Sequence, residues 1–151
     1  MIKIVPDANI LISGMLGTPG PTRKIINLSL AKKVVIFGSS KTYQEFCEII
    51  RLIRFQKYLK RQLFSPEKII LDYKAFVNMI ESLTSDASER YVLRDQDDDE
   101  YVKVARACGA KIIITRDKDL LDVKKFGDII ASTPEKFIQS YLKIQTKSNI
   151  N

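Results

Sequence analysis

Short apolar runs that end abruptly in polar residues alternate with longer stretches of helical periodicity, and this alternation constrains the fold more than any single residue does. Ile2 to Val5 reads as a first strand, and Lys33 to Phe37, closed by Gly38, as a second. Between them, past a loop from Gly14 to Pro21, Thr22 can cap a helix to about Leu30. Ser39 or Ser40 opens a helix whose apolar face is Tyr43, Phe46, Cys47, Ile50 and Ile53, with Glu45 off that face. Ser65-Pro66-Glu67 combines a capping hydroxyl, a proline at the first helical position and an acid in the first turn, which predicts a helix to about Leu83. Tyr91 to Leu93 is a short strand candidate. Asp97 to Asp99 opens a helix through Tyr101 to Cys108, ended by Gly109, and Lys111 to Thr115 is the clearest buried strand. Asp128 to Ala131 is a last strand, and Thr133-Pro134-Glu135 starts a final helix to about Lys143. Strands and helices in this order predict an α/β domain with a mainly parallel sheet. In a chain of 151 residues one core is the default, so residues 1–143 form one domain and 144–151 a frayed polar tail.

Several functions are removed by what the chain lacks. It has no histidine, which takes away the commonest general base and metal ligand. Cys47 and Cys108 lie in separate helical patterns, so they read as small buried hydrophobes and not as zinc ligands or a thiol nucleophile. No apolar run of about 18 residues exists to span a membrane. The start lacks the basic and apolar regions of a signal peptide, and the expected location is the cytoplasm. With 25 basic against 18 acidic residues, a net charge of +7 favours an anionic partner such as nucleic acid.

Acids placed at the ends of strands and the starts of helices are the candidates for chemistry. Asp7 follows the first strand at once, with Asn9 two residues on to steady it. In open parallel sheets ligands bind beyond the carboxyl ends of strands, so Asp7 has a ligand's position, although an Asx turn or helix cap accounts for it equally well. Asp117 emerges after the buried strand in the same way, and if the two strands are neighbours the carboxylates converge. Alone, it would be a turn residue, and Asp119 is the expected cap of the turn into Leu120 and Leu121. Acids in a first helical turn meet the positive helix end, which accounts for part of the run Asp95 to Glu100. Asp97, Asp98 and Asp99 repel one another, so at least one is expected to face a cation: Asp99, with Asp98 its close rival. Glu45 is either simply solvated or, being near its helix start, directed to the same pocket. Arg51, Arg54, Lys57 and Arg61 recur every three or four residues, a basic stripe suited to a phosphate track if that segment is helical. Phe55 and Tyr58 beside it are core residues or stacking platforms for bases.

Asp-x-Asn after the first strand, a serine-led helix with Glu45, an acidic helix start and Thr115-Arg116-Asp117 after a hydrophobic strand resemble the PIN-domain ribonucleases. Many of those are toxins of VapBC-type toxin–antitoxin pairs. The resemblance runs from Ile2 to about Phe137, and the stretch Arg94 to Asp99 followed by Ile113 to Leu121 is its most specific part. It implies a three-layer α/β/α sandwich with catalytic acids Asp7, Glu45, Asp99 and Asp117, of which Asp7, Asp99 and Asp117 hold Mg²⁺ or Mn²⁺. Asn9, Thr115 and Asp98 support them. The eighteen-residue separation of Asp99 and Asp117 matches the family spacing and favours Asp99 over Asp98. Implied with these are an RNA substrate, an antitoxin partner and a homodimer. Val5-Pro6 before Asp7 departs from the family, since proline there suits only a strand end. Other readings are a structure-specific or DNA-directed nuclease and a PIN-like scaffold that binds RNA or protein without turnover. A receiver-type signalling domain fits less well, because it needs an acidic pair where Asp7 stands alone.

Overall fold

The computed structural model describes residues 1–17, 19–52, 65–81, 98–123 and 125–150, with the backbone alone at 98 and 99. The strand expected at Tyr91 to Leu93, the side chains of Asp98 and Asp99, and Ile53, Arg54, Phe55, Lys57, Tyr58 and Arg61 lie outside the described residues. In chain order the elements are β1 (Ile2–Pro6), α1 (Ala8–Met15), α2 (Pro21–Leu30), β2 (Val34–Gly38) and α3 (Ser40–Ile50), then α4 (Pro66–Phe76) and β3 (Val77–Met79). They continue with α5 (Asp98–Cys108), β4 (Ile112–Ile114), α6 (Lys118–Val123), β5 (Lys125–Phe126), β6 (Ile129–Ser132) and α7 (Pro134–Ser148).

The strands form one sheet in the order β3-β2-β1-β4-β6-β5, parallel throughout except where β5 runs antiparallel to β6. The alternation of side chains along a strand sends successive residues to opposite faces, and here each face carries its own core. Ile4 and Ile114 join the core built with α1, α2, α3, α4 and α7, whereas Val5 and Ile113 join the one beneath α5 and α6. That is the expected three-layer α/β/α arrangement. Each fully buried isoleucine contributes about 1.5–3 kcal/mol, so a one-residue slip of β1 or β4 would exchange both cores at once and is strongly disfavoured.

Capping signals in the sequence were largely sound. Ser39 and Thr42 form a reciprocal capping box at α3, and the hydroxyls of Ser65 and Thr133 accept from the N–H of Lys68 and Lys136. At α2, however, the cap is Gly20 with Pro21 in the first position, and Thr22 lies inside the helix with its hydroxyl 3.0 Å from that of Ser13. Helix α4 stops at Phe76, short of the expected Leu83, because the next residues pair with β2. Pairing there satisfies backbone groups of the sheet that a longer helix would leave open, and the Ile80 N–H reaches the Gly38 carbonyl at 2.8 Å. Helix α7 continues to Ser148, past the expected end at Lys143, with residues 142–150 all exposed. Two helices, α1 and α6, and the two-residue strand β5 occupy segments to which the sequence pattern assigns no element, apart from the loop expected from Gly14.

Two glycines are fixed by space and angle. A Cβ on Gly38 would lie 2.6 Å from the Tyr73 hydroxyl and 2.9 Å from Val77, at the point where α4 and β3 close on β2. Gly127 turns β5 into β6 with φ near 68°, a conformation that side-chain-bearing residues seldom adopt.

Candidate active site

Strand order reverses between β1 and β4: the chain passes from β1 to β2 on one side, and β4 takes the other. At such a switch point the loops leaving the two carboxyl ends diverge and open a crevice. Register places Pro6 opposite Ile114, and the Asp7 N–H donates to the Ile114 carbonyl at 2.9 Å. Asp7 and the Thr115-Arg116-Asp117 turn therefore leave the sheet side by side. Pro6, without an N–H to give the ladder, stands at the last position of β1, where that loss is tolerated.

Asp7 does both things that the sequence left open. Its Oδ1 accepts from the Ile10 N–H at 2.9 Å and so caps α1, and its Oδ2 accepts from the Thr115 hydroxyl at 2.5 Å. Thr115 is fully buried, and its hydroxyl accepts in turn from the Asp117 N–H at 3.0 Å. The Asp117 Oδ1 accepts from the Asp119 N–H at 2.9 Å. Thus Asp117 starts α6 much as Asp7 starts α1, and Asp119, expected as the cap, lies inside the helix. Burial pushes the Asp7 carboxyl above the usual aspartate range; Thr115 and the Ile10 and Asn9 amides oppose that rise, and the charge of Asp117 adds to it.

Glu45, part-buried in α3, reaches the same place from the other side. Its Oε2 accepts from the hydroxyl of Tyr101, which itself accepts from the Ala8 N–H at 3.2 Å. Desolvation, followed by the neighbouring Glu45 charge, holds the Tyr101 phenol strongly towards its protonated form. A pocket of about 350 Å³ is lined by Asp7, Asn9, Glu45, Tyr101, Arg116 and Asp117, together with Ala8 and Ile10. Arg116 extends along its rim to Glu135, 2.5 Å away, and holds that carboxyl below its ordinary range.

Of the expected residues, Asp7, Glu45, Asp117, Asn9 and Thr115 are brought together here. The backbone of residue 99 lies in the first turn of α5. Arg51 ends α3 exposed to solvent. Sequence reasoning missed Tyr101, Arg116 and Glu100. Glu100 is buried and accepts from the Ser39 hydroxyl at 2.8 Å, although its place in an acid run suggested only a charge meeting the positive helix end. The one available signal for Tyr101 was a tyrosine where its helix presents apolar residues to the core, since a buried phenol needs a partner.

The donors around the pocket are carboxylate oxygens, which suit a hard divalent cation such as Mg²⁺ or Mn²⁺. A desolvated Asp7 beside Asp117 is also an arrangement that a nearby cation would relieve. Among the described residues no three acidic or cysteine side chains group closely enough to hold an ion by themselves. Among the described residues no helix is long and apolar enough to cross a membrane.

The sequence model of the PIN domain family matches residues 3–119. A curated relative, the uncharacterized protein MJ1680 of Methanocaldococcus jannaschii, is 29% identical over 150 residues, covering 94% of this chain and 93% of its own. Among solved structures, VapBC2 from Rickettsia felis bound to a DNA fragment from its promoter matches with a TM-score of 0.60 and 13% identity, over 87% of this chain and 98% of that one. DNA-bound VapBC from Salmonella typhimurium matches with a TM-score of 0.59 and 15% identity, over 89% and 99%. At those identities the likeness is one of fold.

Proposed function

This chain belongs to the PIN domain family, whose members are generally nucleases, and on that premise we propose that it is a Mg²⁺- or Mn²⁺-dependent endoribonuclease, the toxin of a toxin–antitoxin pair. The observation that carries the reading is the meeting of Asp7, Glu45 and Asp117 in one pocket at the β1/β4 switch point of a chain with net charge +7. Asp7, Asp117 and Asp99 would hold the cation, with Asp98 beside them in the acidic turn. A divalent ion bound there would supply a more acidic water for in-line attack and neutralise charge on the phosphodiester.

The protein's own groups do the rest. Thr115 fixes Asp7 in one orientation and is itself fixed by the Asp117 amide. Glu45 orients the attacking water, Asn9 steadies the Asp7 turn, and Arg116 meets a phosphate at the rim. Arg51, Arg54, Lys57 and Arg61 form the track along which RNA approaches. No covalent intermediate is needed, and the products carry a 5′-phosphate and a 3′-hydroxyl. We further propose that the protein works in the cytoplasm as a homodimer restrained by an antitoxin, as suits a fold shared with VapBC assemblies.

The test offers purified protein single-stranded RNA, folded RNA and DNA, each with Mn²⁺, Mg²⁺ or chelator. Cation-dependent cutting of RNA supports the reading. Cutting of DNA alone moves it to a DNA-directed nuclease, and failure to cut any substrate, with no rise in thermal stability on adding Mn²⁺, leaves a binding scaffold.

A further inference from the structure

We propose that Tyr101 is a positioning residue, whose hydroxyl clamps the Glu45 carboxylate at a fixed distance from the Asp7 turn. This deepens the nuclease reading and rests on it. Tyr101 stands in α5, Glu45 in α3 and Ala8 at the first position of α1, so a single oxygen joins three elements that border the pocket. The Ala8 N–H is one of the four amides that a helix start leaves without an intrahelical acceptor, and Tyr101 supplies that acceptor. Asp7 is the residue immediately before it. The Ala8 bond therefore sets where the phenol oxygen stands relative to the Asp7 turn, and the proton that this oxygen gives sets where Glu45 stands.

A phenylalanine would fill the same volume, so packing accounts for the ring and not for the hydroxyl, whose two hydrogen bonds join Ala8 to Glu45. Tyr101 is only 2% exposed, and its proton is given to a carboxylate that lines the pocket. A glutamate on a helix surface has three rotatable bonds and ordinarily samples many rotamers, whereas a group that must orient a reacting water needs to be held within about 0.5 Å. The clamp removes that freedom before substrate arrives. It acts through Glu45 and makes no contact with the reacting atoms.

The experiment is a double-mutant cycle of Tyr101→Phe and Glu45→Gln in the full chain, read by cleavage of single-stranded RNA in Mn²⁺ and by proton NMR. Tyr101→Phe should lower kcat by about 10- to 100-fold and leave KM within about twofold. Added to Glu45→Gln it should change kcat by less than about twofold, because the carboxylate it positions is already gone even though the amide oxygen can still accept its proton. A purely structural tyrosine would instead multiply the two losses. In the NMR arm, a slowly exchanging downfield hydroxyl proton should be shifted by Glu45→Gln and abolished by Tyr101→Phe. Multiplying losses, or a Tyr101→Phe protein that cuts like the parent, overturns the proposal. If the parent cuts nothing, the nuclease reading falls, and the resonance alone decides the clamp: a peak untouched by Tyr101→Phe rejects it, and a peak that responds to both changes upholds it.

Discussion

Two tyrosines, each almost wholly buried, sit in the two cores on opposite faces of the sheet and do different work. Tyr73 in α4 lies over the carboxyl end of β2, packed on Phe46 at 4.6 Å between ring centres, with its hydroxyl 3.3 Å from that of Thr42. Tyr101 lies over the ends of β1 and β4 and gives its proton to a carboxylate. Burial raises both phenols, that of Tyr73 to about 12. The difference lies in the partner. A neutral hydroxyl is the partner of Tyr73, and the carboxylate beside Tyr101 keeps a charge in the pocket that Asp7 and Asp117 line. Burial alone therefore does not distinguish a structural group from a functional one; the charge of its partner and its neighbourhood do.

The contrast breaks first at the acids. Asp7→Asn or Asp117→Asn should abolish cleavage, by about a thousandfold or more, in a protein that still melts cooperatively. If either variant cuts like the parent, the pocket is not where the chemistry occurs. On the Tyr73 side the large effect should be on stability: Gly38→Ala drives a methyl into the Tyr73 hydroxyl and Val77 and should cost about 2–3 kcal/mol by urea titration. The folded fraction should keep the parent's kcat. Removing only the hydroxyl, Tyr73→Phe should cost about 1 kcal/mol and leave kcat unchanged, the opposite pattern to Tyr101→Phe. An equal loss of kcat from both would erase the distinction.

The smallest effect is in the pH dependence without metal. Because the folded-state value of Asp7 is raised, the native protein keeps a proton that the unfolded chain has released. Its contribution therefore falls as pH rises from the ordinary aspartate range, and the loss is complete once pH has passed the raised value. The stability of Asp7→Asn relative to the parent should accordingly increase over that interval in chelator. Denaturant midpoints at a series of pH values measure it, and a flat difference would mean that Asp7 carries no unrelieved charge.

The positions of β1, β2, β4 and β6, the caps at Ser39, Ser65 and Thr133, and the placing of Asp7 and Asp117 at strand ends were legible in the chain, because each depends on a few adjacent residues. Where the reading failed, a distant partner had decided the outcome. Val77 to Met79 became strand because β2 offered unpaired backbone beside it, and Ala8 to Met15 became helix because Asp7 could cap it while also reaching Thr115, 108 positions away. Glu45 could be solvated or inward-facing by pattern alone, and Tyr101, whose hydroxyl its carboxylate accepts, stands 56 positions further on.

By itself, the order of residues determined an α/β chain without histidine, positively charged, with acids at the mouths of its strands. Hydrophobic periodicity and capping are local, and a linear text records them. Tertiary structure decided that β1 and β4 are neighbours, that Asp7 and Asp117 share a buried threonine, and that a tyrosine joins Glu45 to the start of α1. Those contacts depend on strand order and on two cores closing on opposite faces of one sheet, which no short window of sequence contains.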